Sequence, residues 1–217
     1  MNGIHLENNL AEVVGTVVSE LFYSHEVYGE TFWCFKLAVP RLSAEVDTLV
    51  ITVSERLTAG VSLDVGDKIF VKGQFRSYNN LSNEGNRLLL TIFAKSIEDA
   101  EENDAITPNY IYLNGYICKP PIFRTTPFGR EISDILLAVN RSYNKSDYIP
   151  CITWGRNAKF ASTFNVGDNI KIWGRIQSRE YQKKIDEDNV LTKIAYEVSV
   201  SKLECSAQEG SHETELG

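Results

Sequence analysis

The sequence predicts an all-β protein built twice from one small barrel unit, and three observations lead there. The first is a repeat. Leu37-Ala38-Val39-Pro40-Arg41 returns as Leu137-Ala138-Val139-Asn140-Arg141, displaced by 100 positions, and Gly15, Gly29 and Asp47 fall on Gly115, Gly129 and Asp147. Val65-Gly66-Asp67-Lys68-Ile69 returns as Val166-Gly167-Asp168-Asn169-Ile170, displaced by 101, after which Gly73 matches Gly174 and Ser77 matches Ser178. That period is too long for a solenoid and marks a duplicated domain. The second observation is that the apolar runs are short, rich in β-branched and aromatic residues, and bounded by Gly, Pro, Asn or Asp, as strands and turns require. The third is a single break in that pattern between the third and fourth runs of a copy.

In the first copy the strands fall at Leu10 to Leu21, Phe32 to Val39, Thr48 to Val53, Lys68 to Phe75 and Arg87 to Ile97. In the second they fall at Tyr110 to Cys118, Ile132 to Val139, Tyr148 to Trp154, Asn169 to Gln177 and Leu191 to Leu203. Ile170, Ile172 and Ile176 alternate with Lys171, Arg175 and Gln177, which gives that strand one dry and one wet face. Trp173 sits inside it and reads as core or interface. From Arg156 to Asn165 the period changes: Ala158, Phe160, Ala161 and Phe164 recur at helical spacing. Five strands with a short helix between the third and fourth is the order of the OB-fold, a Greek-key barrel that binds oligonucleotides or oligosaccharides. The predicted organisation is therefore a divergent, acidic OB-fold at residues 1–98, a solvated linker at 99–108 and a second OB-fold at 109–204. A disordered tail, too polar to bury a core, completes it at 205–217.

Composition narrows the function. No apolar run approaches the roughly 20 residues of a membrane span, and Met1 to Leu10 shows no secretory signal, so a soluble cytoplasmic protein without membrane partners is expected. Cys34, Cys118, Cys151 and Cys205 stand far apart, and His5, His25 and His212 are scattered; neither a disulfide framework nor a metal site has the required spacing. No cofactor is expected. Asp134 and Asp147 are isolated carboxylates, and no nucleophile or phosphate-binding loop is present, so an enzyme is not expected. The net charge of -7 hides a split: residues 1–105 hold 8 Lys+Arg against 16 Asp+Glu, while 106–204 hold 14 against 10. A polyanion is drawn to the second copy alone.

Candidate ligand residues in the second copy are aromatics set among cations. Tyr143 and Tyr148 flank a polar hairpin, Trp154 ends a strand before Gly155-Arg156, and Tyr181 lies in Arg179-Glu180-Tyr181-Gln182-Lys183-Lys184. Unpaired bases stack on such rings for about 1–3 kcal/mol each. Arg124, Arg130, Arg141, Lys145, Arg156, Arg175, Arg179, Lys183 and Lys184 are the candidate phosphate contacts. Each of these residues also has a packing or solvated-surface reading, since tyrosines on sheets commonly pack across strands.

The stretch from Asn109 to Cys205 resembles the OB domain of bacterial single-stranded DNA-binding proteins. The resemblance rests on Leu113-Asn114-Gly115, on Leu137-Ala138-Val139-Asn140-Arg141, on Asp147 through Gly155, and on Gly174-Arg175-Ile176-Gln177-Ser178-Arg179-Glu180-Tyr181. It implies base stacking at the positions of Tyr143, Tyr148, Trp154 and Tyr181, the residues the composition had singled out. It implies a protein that coats single-stranded DNA with little sequence preference during replication, recombination or repair. It also implies a homodimer carrying four OB-folds, with replication or repair proteins as further partners. Two departures qualify it. The first copy has Ser43, Thr48, Ser54 and Asn80 opposite the four aromatics, so it lacks most of the platform. The tail ends Glu213-Thr214-Glu215-Leu216-Gly217, without the apolar, Pro-containing tip by which the family recruits enzymes. A specialised paralogue, or an OB-fold adaptor of a primosome or recombination assembly whose barrels mainly bind protein, is the alternative.

Overall fold

Twelve strands and two short helices make up the described part of the chain, residues 8–43, 45–79, 88–100, 108–184 and 190–205 of a computed structural model. The first half comprises β1 (Asn9–Val17), β2 (Phe22–Val27), β3 (Glu30–Pro40), β4 (Val46–Ser54), α1 (Glu55–Thr58), β5 (Lys68–Asn79) and β6 (Leu88–Asp99). The second comprises β7 (Asn109–Ile117), β8 (Ile122–Thr125), β9 (Glu131–Arg141), β10 (Lys145–Trp154), α2 (Arg156–Ala161), β11 (Asn169–Lys184) and β12 (Val190–Cys205). Positions 101–107 of the expected linker and 206–217 of the expected tail lie outside the described residues.

Each half closes into a barrel of five strands. β1 pairs β3 and β5, β3 pairs β4, β4 runs parallel to β6, and β6 returns to β5. The same ring recurs as β7, β9, β10, β12 and β11. Both halves are OB-folds. The extra strands β2 and β8 pair only with β3 and β9 and sit at the two ends of the sheet. They are short and carry almost no buried side chain, so they lack the alternation that reveals a strand in sequence.

Alternation does set the cores. Phe35, Leu37, Ile51, Ile69, Val71 and Ile92 fill the first barrel, and Leu113, Leu137, Ile149, Ile170, Ile172 and Val198 fill the second. Their burial supplies the main stabilising contribution. Helix α2 is shorter than its apolar spacing predicts. The hydroxyls of Ser162 and Thr163 donate to the Lys159 and Phe160 carbonyls, which closes the last turn. Phe164, just beyond, is buried against Phe160 with ring centroids 4.9 Å apart. Gly73 and Gly174 mark matched irregularities where β5 meets β6 and β11 meets β12. A Cβ at either position would collide with the carbonyl of Phe93 or Ser199, so only glycine lets the strands approach there.

The barrels join edge to edge through β1 and β7, giving one sheet in the order β2-β3-β4-β6-β5-β1-β7-β11-β12-β10-β9-β8. That order reads as a palindrome, the mark of an internal twofold. In the β1–β7 ladder Ala11 faces Ile111, its own repeat counterpart, which locates the axis. Repeat partners also exchange across the axis. The backbone N–H of Ser178 donates to Asp47 Oδ1 at 2.7 Å, and that of Ser77 donates to Asp147 Oδ1 at 2.6 Å. Arg41 binds Asp47 through Nε and Nη2, at 2.7 and 2.8 Å, and reaches the Ser178 carbonyl at 3.0 Å. Arg141 makes the reciprocal reach to the Ser77 carbonyl at 3.3 Å, its Nε 3.0 Å from Asp147 Oδ2 but without hydrogen-bond alignment.

That difference in alignment separates the two buried carboxylates. Burial pushes Asp47 up, yet the Arg41 and Ser178 hydrogen bonds outweigh it and hold the group below the ordinary carboxylate range. Burial also pushes Asp147 up, and here the Ser77 N–H and the Arg141 and Arg76 charges do not compensate, so it stays above that range.

Candidate nucleic-acid interface

Strand register decides which side chains share a surface, because paired residues point to the same face and neighbours alternate. On β10, Asp147, Ile149, Cys151 and Thr153 point inward and are buried. Tyr148 and Trp154 take the opposite parity and face out, 48% and 37% exposed. Trp154 pairs with Ile132 on β9, which in turn pairs with Arg124 on β8. On the other flank Ile152 pairs with Ser199 of β12, and Ser199 pairs with Arg175 of β11. Arg179 and Tyr181 follow Arg175 on the same side of β11. Six predicted residues, Arg124, Tyr148, Trp154, Arg175, Arg179 and Tyr181, therefore stand on one continuous outer face of the second barrel.

Three more lie at the ends of these strands, two in loops and one at the start of α2. Tyr143 occupies the turn between β9 and β10, 94% exposed and held at φ 62. A bulky residue in the left-handed region is strained, a cost usually tolerated for a function. Arg130 closes the β8–β9 hairpin, its backbone N–H donating to Thr126 Oγ1 at 3.1 Å and its carbonyl accepting from the Thr126 N–H at 2.8 Å. Arg156 opens α2, exposed to solvent.

The remaining four predicted cations stand differently. Arg141 is on the inward parity of β9 and is tied into the inter-barrel clamp with Asp147 and Ser77, which removes it from the outer face. Lys145 pairs with Arg141 and shares its side of the ladder. Lys183 and Lys184 end β11, and their side chains lie outside the described residues.

Acids temper the face at two points. Arg124 is bridged to Asp134, Nε to Oδ2 at 2.7 Å. Glu197, almost buried on β12, accepts from Gln177 at 2.8 Å and lies 3.8 Å from Arg179. Among the described residues Arg130, Lys145, Arg156 and Arg175 make no ion pair, and Arg175 donates to Gln177 Oε1 at 3.2 Å. Sequence reasoning passed over Phe128, which stands 93% exposed at the tip of the β8–β9 hairpin beside Gly129-Arg130. The rule that selected Tyr143, an aromatic beside cations in a polar loop, selects it equally.

Among the described residues no group of three or more His, Cys, Asp or Glu could hold a metal ion. No helix among them is long and apolar enough to cross a membrane.

Two linked OB-folds, one bearing an outer face of aromatics and arginines, define the class as a tandem OB-fold protein. Residues 108–204, the second barrel, match the single-strand binding protein family. Single-stranded DNA-binding protein A of Bacillus subtilis is 33% identical over 103 residues, 44% of this chain and 59% of that protein. The single-stranded DNA-binding protein of Clostridium tetani is 32% identical over 93 residues, 40% of this chain and 64% of that one. The matched stretch thus spans about three-fifths of these relatives' length. The crystal structure of the wild-type single-stranded DNA binding protein from Thermus aquaticus superposes with a TM-score of 0.74 at 20% identity. It covers 94% of this chain and 95% of that one, a likeness of fold across both barrels.

Proposed function

We propose that the protein binds single-stranded DNA through the outer face of its second barrel, by stacking bases on aromatic rings and pairing phosphates with arginines. The observation that carries this reading is the register that aligns Tyr148 and Trp154 with Arg124, Arg175, Arg179 and Tyr181 on one surface. Stacking reads the π-face that every base has, so the binding is largely indifferent to sequence. No bond is made or broken. The match of this barrel to the single-strand binding protein family and the names of its relatives support single-strand binding, and we place that binding in DNA replication, recombination or repair.

Fluorescence anisotropy with a labelled single strand, an equal duplex and two salt concentrations tests it. Tight, salt-sensitive binding to the single strand and weak binding to the duplex support it. Equal affinity for both overturns it. Assembly is part of the reading: two chains would bring four barrels together. Light scattering at twice the 24.5 kDa chain mass supports that, and the single-chain mass excludes it.

A further inference from the structure

The outer face of the first barrel is built from equivalent strands, but its chemistry is different. A groove of about 490 Å³ opens there, lined among others by Phe22 and Tyr23 of β2, Val50 of β4, Tyr78 of β5, Leu89 of β6 and Tyr196 of β12. Its size falls in the range of ligand pockets. Among the described residues no Asp, Glu, Lys or Arg lines it, and His25 is its one ionisable ring. Phe22, Tyr23 and Leu89 are exposed, an unusual state for three neighbouring large apolar residues. Tyr196 comes from the second half, its hydroxyl donating to the Thr48 carbonyl at 3.0 Å, so both halves build the groove.

We propose that this groove docks an extended segment of a partner protein, one whose apolar side chains are flanked by lysines or arginines. Charge selects that occupant. The surrounding residues 1–105 hold twice as many acids as bases, and the chain on either side of the Phe22–His25 wall carries Glu20, Glu26 and Glu30. The cations near the groove are mostly engaged. Arg76 lies over the Phe93 ring at 3.8 Å, Arg141 lies over the Tyr78 ring at 5.4 Å with its guanidinium held by Asp147 and Ser77, Arg56 pairs with Glu30 at 3.3 Å, and Lys36 stands opposite Val50. A phosphodiester strand entering this field meets like charge, and the two arginines beside the groove's rings are already engaged, Arg141 by Asp147 and Arg76 by Phe93. The acidic segment at 206–217 is disfavoured for the same reason. A basic, apolar peptide gains from both the field and the groove.

The test titrates the full chain with three fluorescein-labelled probes: a nonapeptide alternating leucine and lysine, its leucine–glutamate counterpart, and oligothymidylate. The lysine peptide is expected to bind saturably and at least tenfold more tightly than the glutamate peptide. Leu89→Lys and Tyr23→Lys should each weaken it tenfold or more, while Val65→Lys, an exposed position outside the groove, changes it less than twofold. Oligothymidylate affinity should stay within twofold throughout. Both groove substitutions are at exposed sites, and unchanged melting curves establish that the variants fold. Equal binding of the two peptides, no saturable binding, or indifference to both groove substitutions overturns the proposal. Displacement of the peptide by oligothymidylate also overturns it, assigning the groove to nucleic acid instead.

Discussion

Tyr143 shows most clearly how function and stability can be separated at a single residue. Its ring packs on little, and its backbone sits where a non-glycine residue costs about 1–2 kcal/mol. Tyr143→Gly should therefore leave the melting temperature unchanged or raise it, while weakening single-strand affinity severalfold. A variant that melts lower and binds normally would make the tyrosine structural. Trp154→Ala and Tyr148→Ala should each weaken affinity by about 1–3 kcal/mol in anisotropy titrations. The two clamp carboxylates should respond to pH in opposite senses. Asp47, held below the ordinary range in the fold, contributes stability above that range and loses it as pH falls through its lowered value. Asp147, held above the range, favours the fold when protonated, and that contribution disappears as pH rises through its raised value. At neutral pH Asp47→Asn should cost about 1.5–3 kcal/mol, as loss of hydrogen bonds to a charged group does. Asp147→Asn should cost less or stabilise. Thermal melts of both variants from pH 3 to 8 check this, and the reverse order would contradict it.

At the scale of elements, the irregularities at Gly73 and Gly174 are the points least tolerant of change. Gly174→Ala drives a methyl into the Ser199 carbonyl and should destabilise by roughly 1–3 kcal/mol or more, read as a lowered melting temperature in a chain whose Val65→Ala stays near wild type. The barrel strands were legible because each has one dry face: Ile170 and Ile172 alternate with Lys171 and Trp173. Strands β2 and β8 were not, because neither face of Phe22–Val27 or Ile122–Thr125 is buried and nothing alternates. The β11–β12 hairpin runs beyond the predicted ends, to Lys184 and from Val190, since its outer part lies past the core and carries polar residues on both faces. The aromatics of the site were legible as rings among cations. Their common face was not, because it depends on the parallel pairing of β10 with β12, a long-range contact. The ties of Arg141 to Asp147 and Ser77 were hidden for a related reason: Ser77 belongs to the other barrel.

For the whole molecule, the internal twofold and the charge division pull apart. The backbone repeats faithfully across the β1–β7 axis, whereas the outer faces have diverged into an aromatic, cationic surface and a largely apolar groove in an acidic half. The salt dependence of binding should accordingly report the second barrel alone. The slope of log affinity against log salt should fall in magnitude by about 0.7 for each phosphate contact removed from a single strand. Arg175→Ala should lower it by that amount and Arg56→Ala should not. The most direct measurement uses a chain in which Trp33 and Trp173 are replaced by phenylalanine, leaving Trp154 as the sole indole. Titration with oligothymidylate should quench its emission, and added salt should restore it. Emission that stays constant while anisotropy reports a bound strand would show that the strand lies elsewhere.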